Sequence, residues 1–553
     1  MLQASGIRAA GLCATILLSA IGGGVVRAAA QASVTTYHND NNRTGWNSHE
    51  TVLTPAKVSG ASFGLLYNVA LDDQVDSGPL VVSNVTITAG KFQGLKNVAY
   101  VATESNTVYA IGVNSGNIFL RRNLGAPVHL PLGCNNNGPN VGINSTPVID
   151  PVAKTLYVIA YTQDAGGPAY RIHALDLGNL TDKVPPQLIA ASHRLIDGTV
   201  FNFNATYQRQ RPGLLLANGT VYAGFGSFCD LGAKFSRGWL LGWSAQTLEP
   251  LAANQVFDTQ VSSPHSFFLS SIWMSGYGPA TDDDGNILFV TGNSDPSGTT
   301  YDGVTNLQES VVKLNPTLTT VQDLFTPSNQ AALDQRDNDF GSGGVLVLPD
   351  QPGNNPHLAV AGGKDGNLYL LNVDHLGGFS PDQDDVLGKY VEGACWCGHS
   401  YYVDPIDGIG RIVTSAGRRA KVFKVNNSPV PSLSLQSTSP MLLGGQDPGF
   451  FTSISSNGEV NPIIWALSHP VTDSPSFPIY LYAFDPRSGG SAMAQLFQGV
   501  AGTWPSVNGN ANLVPVVANG HVFVATYKQL QVFGIKPKAV QPAARKMGGR
   551  STR

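Results

Sequence analysis

From about residue 97 onward the chain repeats one pattern of apolar and polar positions. Asn97 to Gly125, NVAYVATESNTVYAIGVNSGNIFLRRNLG, reads as an apolar strand, a polar turn, an alternating strand, a Ser-Gly turn and a further strand. The same grammar returns in segments starting at Lys154, Asn218, Asp284, His357, Gly410, Ile463 and Asn519, a spacing near 60 residues. Period-two alternation with turns rich in Gly, Asn and Asp is the signature of antiparallel strand pairs. A single pair cannot bury both its faces, so the copies must stack on one another. Eight copies predict an all-β fold, an eight-bladed β-propeller of four-stranded antiparallel blades spanning residues 31–535, with an array of β-sandwiches as the competing arrangement. The last copy ends at Ile535, and an early strand such as Leu65 to Val69 would complete its blade and close the ring.

Composition agrees with this pattern. Charged residues make up only 13% of the chain, against about 25% in an average soluble domain, as expected where strands are covered on both faces. With 33 Lys+Arg against 37 Asp+Glu there is no basic excess to neutralise nucleic-acid phosphates, and a 42% hydrophobic content excludes a disordered chain.

The ends differ from the repeats. Arg8, the apolar run Ala9 to Val26 and the small residues Ala28 to Ala32 read as a secretory signal over residues 1–30, too short and too interrupted by Gly22 to Gly24 to span a membrane. Secretion, or export to a periplasm, is therefore expected. Residues 536–553 carry six Lys or Arg among small polar residues and read as a disordered basic tail. Outside the signal there are four cysteines, Cys134, Cys229, Cys395 and Cys397, which allow three disulfide pairings. Cys395-Trp396-Cys397 is too tightly spaced for a zinc C-x-x-C, and His399 alone does not complete four ligands. The run Asp282-Asp283-Asp284-Gly285 lacks the spacing and terminal Glu of an EF-hand and reads as a blade turn.

The phrase from Ala99 to Gly116, with Ala174-Leu175-Asp176 leading to Gly178, resembles the repeat of the pyrroloquinoline quinone (PQQ) propellers, a family that includes quinoprotein alcohol dehydrogenases and non-catalytic assembly proteins. The resemblance implies a site for PQQ and Ca²⁺, a separate electron acceptor and an alcohol-like substrate. Trp273, eighteen residues before Thr291-Gly292-Asn293, matches the indole beneath the quinone, and Asn293 matches a calcium ligand. Asp230, in Ser227-Phe228-Cys229-Asp230 followed by Arg237-Gly238, stands where the family places a ligating Glu. Asp339, before the apolar strand Val345 to Leu348, matches the catalytic base and a metal ligand. Lys364, opening Lys364-Asp365-Gly366-Asn367, matches the cation near the quinone, and Asp76 matches a cofactor-contacting Glu. These residues follow the family's order along the chain. Each also has a purely structural reading: turn residues for Asp339 and Asn293, a packing indole for Trp273, a solvated cation for Lys364.

The departures are specific. The family caps its cofactor with two adjacent cysteines followed by Asn-Arg-Gly, whereas this chain has Cys134-Asn135-Asn136-Asn137-Gly138, with one cysteine and no arginine. The resemblance implies that a Cys134–Cys229 bridge takes over the cap, and leaves the cofactor's carboxylates short of a cation. No C-x-x-C-H haem motif is present, so electrons must leave to another molecule. The expectation is a PQQ- and calcium-dependent dehydrogenase acting on CH-OH donors; the alternative is a propeller without cofactor that binds a protein or polymer.

Overall fold

The computed structural model describes residues 32–136, 138–232, 235–261, 270–294, 301–445, 448–487, 490–507 and 512–537. The expected signal segment and all but the first two residues of the expected tail lie outside them. Within them the chain is an eight-bladed β-propeller, the ring predicted from the repeats rather than a sandwich array.

The first seven blades are consecutive sheets, each with four antiparallel strands paired in chain order; Gln208–Arg209 adds a fifth strand to blade 3, and Trp46–Asn47 adds a parallel fifth to blade 7. Blade 1 comprises Leu80–Ile87, Gly94–Ala102, Thr107–Gly112 and Ile118–Asn123. The innermost strands of blades 2 to 7 are Val148–Asp150, Leu215–Ala217, Ala280–Thr281, Val345–Val347, Ser400–Asp404 and Phe451–Asn457. Blade 8 joins Val516–Ala518 and His521–Ile535 to Phe63–Gln74 from the other end of the chain, in the register Leu65 to Phe533 and Val69 to Leu530. Closure thus pairs the two ends of the chain.

Burial follows strand position. In Thr107–Gly112 all six residues are buried, whereas the outermost strand Ile118–Asn123 has none. Inner strands pack between neighbouring blades on both faces, so few of their residues are charged, and those that are buried there are paired, as Asp404 is with Arg411 at 3.5 Å.

A strap formed by residues 34–47 runs round the inner wall and touches the first strand of each blade, or the residue leading into it, in chain order. Val34 bridges Val81 of blade 1. Thr35 O accepts from Ile149 N at 2.7 Å, and the Arg43 guanidinium donates to Leu214 O at 3.3 Å. Asn41, Asn42, Thr44 and Gly45 carbonyls accept from Thr281, Val347, Tyr401 and Ile454 of blades 4 to 7 at 2.7–3.0 Å. Asn47 Nδ2 reaches Val517 O of blade 8 at 2.8 Å. These contacts satisfy backbone groups that the innermost strands would otherwise leave unpaired.

Antiparallel order also fixes where a site forms. Strand one runs away from one end of the ring and strand two returns, so the turn between strands two and three lies at the same end as the segment leading into strand one. Asp76, Asn144, Arg211 and Trp396 each precede an innermost strand by four residues. Glu104, Asp230, Asn293 and Lys364 lie between second and third strands. All eight therefore gather at one end. Asp282 to Asp284 sit between first and second strands, at the other end, where Asp282 Oδ1 accepts from Asn286 N at 2.8 Å as in a blade turn.

Candidate active site

A cavity of about 170 Å³ opens at this end of the ring, between blades 2 and 6. Asp230, Trp273, Asp339 and Lys364 line it, together with Arg209, Arg211, Asn136, Asp337 and Trp396.

Close backbone approach brings the acidic loops together. A Cβ on Gly341 would lie 2.5 Å from Gly292 N, so the loop carrying Asp339 touches the loop carrying Asn293 only because position 341 is glycine. The Trp273 indole fits between Gly226 and Gly292, whose added Cβ atoms would meet its ring at 2.5 and 2.8 Å. The stretch between Phe325 and Asp339 contains the helix Gln330–Arg336, which ends on Asp337 in the left-handed region at φ 54°. Cys229 and Asp230 are left-handed too, at φ 48° and 55°. Non-glycine residues hold such conformations at a cost of ~1–3 kcal/mol, and they concentrate where a site is over-determined by its surroundings.

The charges form one connected cluster. Lys364 Nζ lies 2.6 Å from Asp339 Oδ2 and 3.4 Å from Asp337 Oδ1, and donates to Asp337 O at 3.1 Å. Asn293 Nδ2 donates to Asp337 Oδ1 at 3.3 Å, and Ser227 Oγ to Asp230 Oδ1 at 2.7 Å. Behind them Glu309 is fully buried and accepts from Phe340 N at 2.6 Å. Burial pushes the Asp339 carboxyl up to about 7; Asp337 and Asp230 add to the rise and Lys364 opposes it. Burial likewise raises Asp230 to about 6 and Glu309 well above the carboxylate range. Burial alone would lower the Lys364 ammonium, but Asp339 and Asp337 outweigh it and hold it above its ordinary value. Three acceptor atoms in this cluster, Asn293 Oδ1, Asp339 Oδ1 and Glu309 Oε1, are buried with no hydrogen-bond donor. Buried acceptors are rarely left this way, and three together are the environment of a hard cation.

Across the cavity, Arg209 and Arg211 are 2% and 7% exposed. Arg209 Nε donates to Asn144 Oδ1 at 3.1 Å and its Nη1 to Asn136 Oδ1. Asn144 in turn donates to Asp76 Oδ2 at 2.9 Å and Glu104 Oε1 at 2.6 Å. Asp76, expected to contact a cofactor, does not line the cavity: Asn144 and Gln74 engage its carboxylate, and it stands behind Arg209. The two arginines bring two guanidinium groups to the cavity of a chain that lacks the Asn-Arg-Gly. Sequence reasoning passed over them because the family motif lies elsewhere, yet Arg211 precedes its innermost strand by four residues, the same offset as Asp76.

Cys134 and Cys229 are joined, S–S 1.99 Å, and Cys229 lines the cavity. A second bridge joins Cys395 to Cys397, and Trp396 between them lies beneath the Lys364 ammonium, 5.1 Å from its ring centre.

No family model matches the sequence, and neither does any curated protein. Among solved structures the chain is similar to a quinohemoprotein alcohol dehydrogenase from Pseudomonas putida, with TM-score 0.56 and 12% identity over 93% of this chain and 82% of that one. It is equally similar to a europium-containing methanol dehydrogenase, with TM-score 0.56 and 10% identity over 91% of this chain and 98% of that one. The described chain thus has the fold of the PQQ-type, eight-bladed quinoprotein dehydrogenase propellers.

Proposed function

We propose that the protein is an exported oxidoreductase that oxidises an alcohol or a related organic substrate, using PQQ and a hard cation, Ca²⁺ in the first instance, bound in this cavity. The observation that carries the reading is the pair of donorless buried oxygens, Asn293 Oδ1 and Asp339 Oδ1, beside Lys364 and Trp273. Asp230, Asn293 and Asp339 offer the all-oxygen ligand set that Ca²⁺ takes. With Asp337 and Glu309 adjacent the set also suits a trivalent ion, and one structural neighbour is described as europium-containing. Arg209 and Arg211 would hold the carboxylates of the cofactor, and Trp273 the face of its ring.

When bound, the quinone supplies the hydride acceptor and the cation polarises its carbonyl. Asp339 is the base: once ionised, its carboxylate takes the substrate hydroxyl proton. Lys364 Nζ lies 2.6 Å from Oδ2, which fixes the orientation of the carboxylate. A carboxyl near 7 is suited to accepting and releasing a proton at neutral pH. The same ammonium supplies positive charge where negative charge develops. Electrons then pass to a separate acceptor.

The test is turnover. Mature protein loaded with PQQ and either Ca²⁺ or a lanthanide should reduce an artificial dye when given simple alcohols. No turnover and no saturable cofactor binding with either metal would overturn the enzyme reading, leaving a cofactor-free propeller that binds a protein or polymer through this face. Among the described residues no helix is long and apolar enough to cross a membrane.

A further inference from the structure

The Cys395-Trp396-Cys397-Gly398-His399 segment, set aside in sequence for want of ligands, is more than a bridge. Both sulfurs and the His399 side chain are fully buried, and one His399 ring nitrogen lies within 4.8 Å of both sulfurs. Glu392, also fully buried, accepts from His399 Nε2 at 3.0 Å. That commits Nε2 to the carboxylate and leaves Nδ1, which is buried with no hydrogen-bond partner. A histidine with one ring nitrogen held by a carboxylate and the other bare is the arrangement of a metal-ligating imidazole. Room for Glu392 exists because position 362 is glycine: a Cβ there would lie 2.0 Å from Glu392 Oε1.

We propose that, when the Cys395–Cys397 bridge is reduced, Cys395, Cys397 and His399 form a binding site for one thiophilic d¹⁰ cation, Zn²⁺, with Glu392 as the outer partner of the histidine. Two thiolates and one imidazole are the ligand types that zinc prefers, and the two thiolate charges cancel the dication in a place where net charge is costly. The chemistry balances with a phosphine as reductant. The Sγ–Sγ bond breaks, the phosphine gives up two electrons and takes the oxygen of one water, and that water's two hydrogens end on the two sulfurs. Zn²⁺ then displaces both thiol protons to solvent and forms two Sγ–Zn bonds and one N–Zn bond. Trp396 lies between the two sulfurs and on the wall of the candidate active site, so exchanging bridge for ion is also reported at that cavity. The proposal does not depend on the proposed oxidation.

The experiment uses mature protein carrying Cys134→Ser and Cys229→Ser, so that only one bridge remains. It is reduced with a phosphine under anaerobic conditions, desalted, incubated with Zn²⁺ and gel-filtered for metal analysis. One zinc per reduced chain and none per oxidised chain is expected, with Co²⁺ in its place giving sulfur-to-cobalt charge-transfer absorption. Cys397→Ser should abolish retention, and His399→Gln should weaken zinc at least tenfold while near-UV circular dichroism stays native. If the Cys134→Ser, Cys229→Ser background no longer folds, wild-type protein with thiols counted before and after zinc gives the same answer. No zinc on reduced native protein, zinc that survives Cys397→Ser, or a bridge that opens only on unfolding would each overturn the proposal.

Discussion

Arg43 is the most connected point of the strap, and replacing it tests whether the strap holds the ring. Its side chain is fully buried. Nε donates to Pro279 O at 2.8 Å; Nη1 to Thr36 Oγ1 and Tyr37 O at 2.8 Å and to Asp40 O at 3.2 Å; Nη2 to Leu214 O at 3.3 Å. Arg43→Ala strips donors from four main-chain carbonyls, each worth at least ~1 kcal/mol once buried and unsatisfied. The cation itself is costly to bury, which pushes Arg43 down to about 10, so removing it offsets part of that loss. The net expectation is a destabilisation of about 3–5 kcal/mol, in the range for a buried charge network that loses one partner. With an unfolding entropy of ~2.1 cal/mol/K per residue, a chain of this size should lose about 3–5 °C in Tm. Arg43→Met keeps most of the volume and should lose nearly as much, because the carbonyls stay bare. Calorimetry on both variants is the assay. Tm values within about 1 °C of wild type would refute the strap's role in holding the ring.

Other outcomes follow from the site. Asp339 and Asp230 are raised to about 7 and about 6 when folded, so the folded protein without cofactor binds more protons than the unfolded chain, whose carboxyls titrate near ~4. Their contribution to stability should therefore fall as pH rises from about 4 to about 7, while buried His38, lowered to about 4, contributes with the opposite sign. Denaturant midpoints measured over that window should fall more, or rise less, in wild type than in Asp230→Asn with Asp339→Asn, and an identical pH profile in the two would contradict it. In metal-loaded protein Asp339→Asn should abolish alcohol turnover yet leave the cofactor spectrum in place; an unchanged rate would mean that another group is the base. Arg209→Gln and Arg211→Gln should each weaken PQQ about 10- to 100-fold, the worth of a charge-assisted hydrogen bond at ~1.5–3 kcal/mol, as read by fluorescence titration. Cys134→Ser with Cys229→Ser opens a loop of 95 residues and should cost about 2–5 kcal/mol, measured by denaturant unfolding without reductant.

The ring was legible because its cause is local. Alternation and turn residues recur in every copy, and the eight copies mark the second and third strands of the eight blades. The strap was not legible, since residues 34–47 have no repeat pattern and their pairing is with strands up to 470 residues away. The acidic half of the site could be read from order along the chain, because Asp230, Asn293, Asp339 and Lys364 occupy loops that the repeat itself places at one end. Arg209 and Arg211 could not, because only the ring brings blade 3 opposite blade 5. Asp76 lies at the expected end of the ring but not on the cavity wall, with Asn144 bonded to its carboxylate and to Arg209. Glu392 lies seven residues before His399, and only the fold turns it back toward the imidazole.

The central claim is that this cavity binds a planar tricarboxylate quinone together with a hard cation. Equilibrium titration of purified mature protein with PQQ, with and without Ca²⁺ or a lanthanide, tests it directly. One PQQ bound per chain, with metal dependence that weakens in Asp230→Ala and Asn293→Ala, is the predicted result. No saturable binding, or binding indifferent to both the metal and these substitutions, would contradict the account.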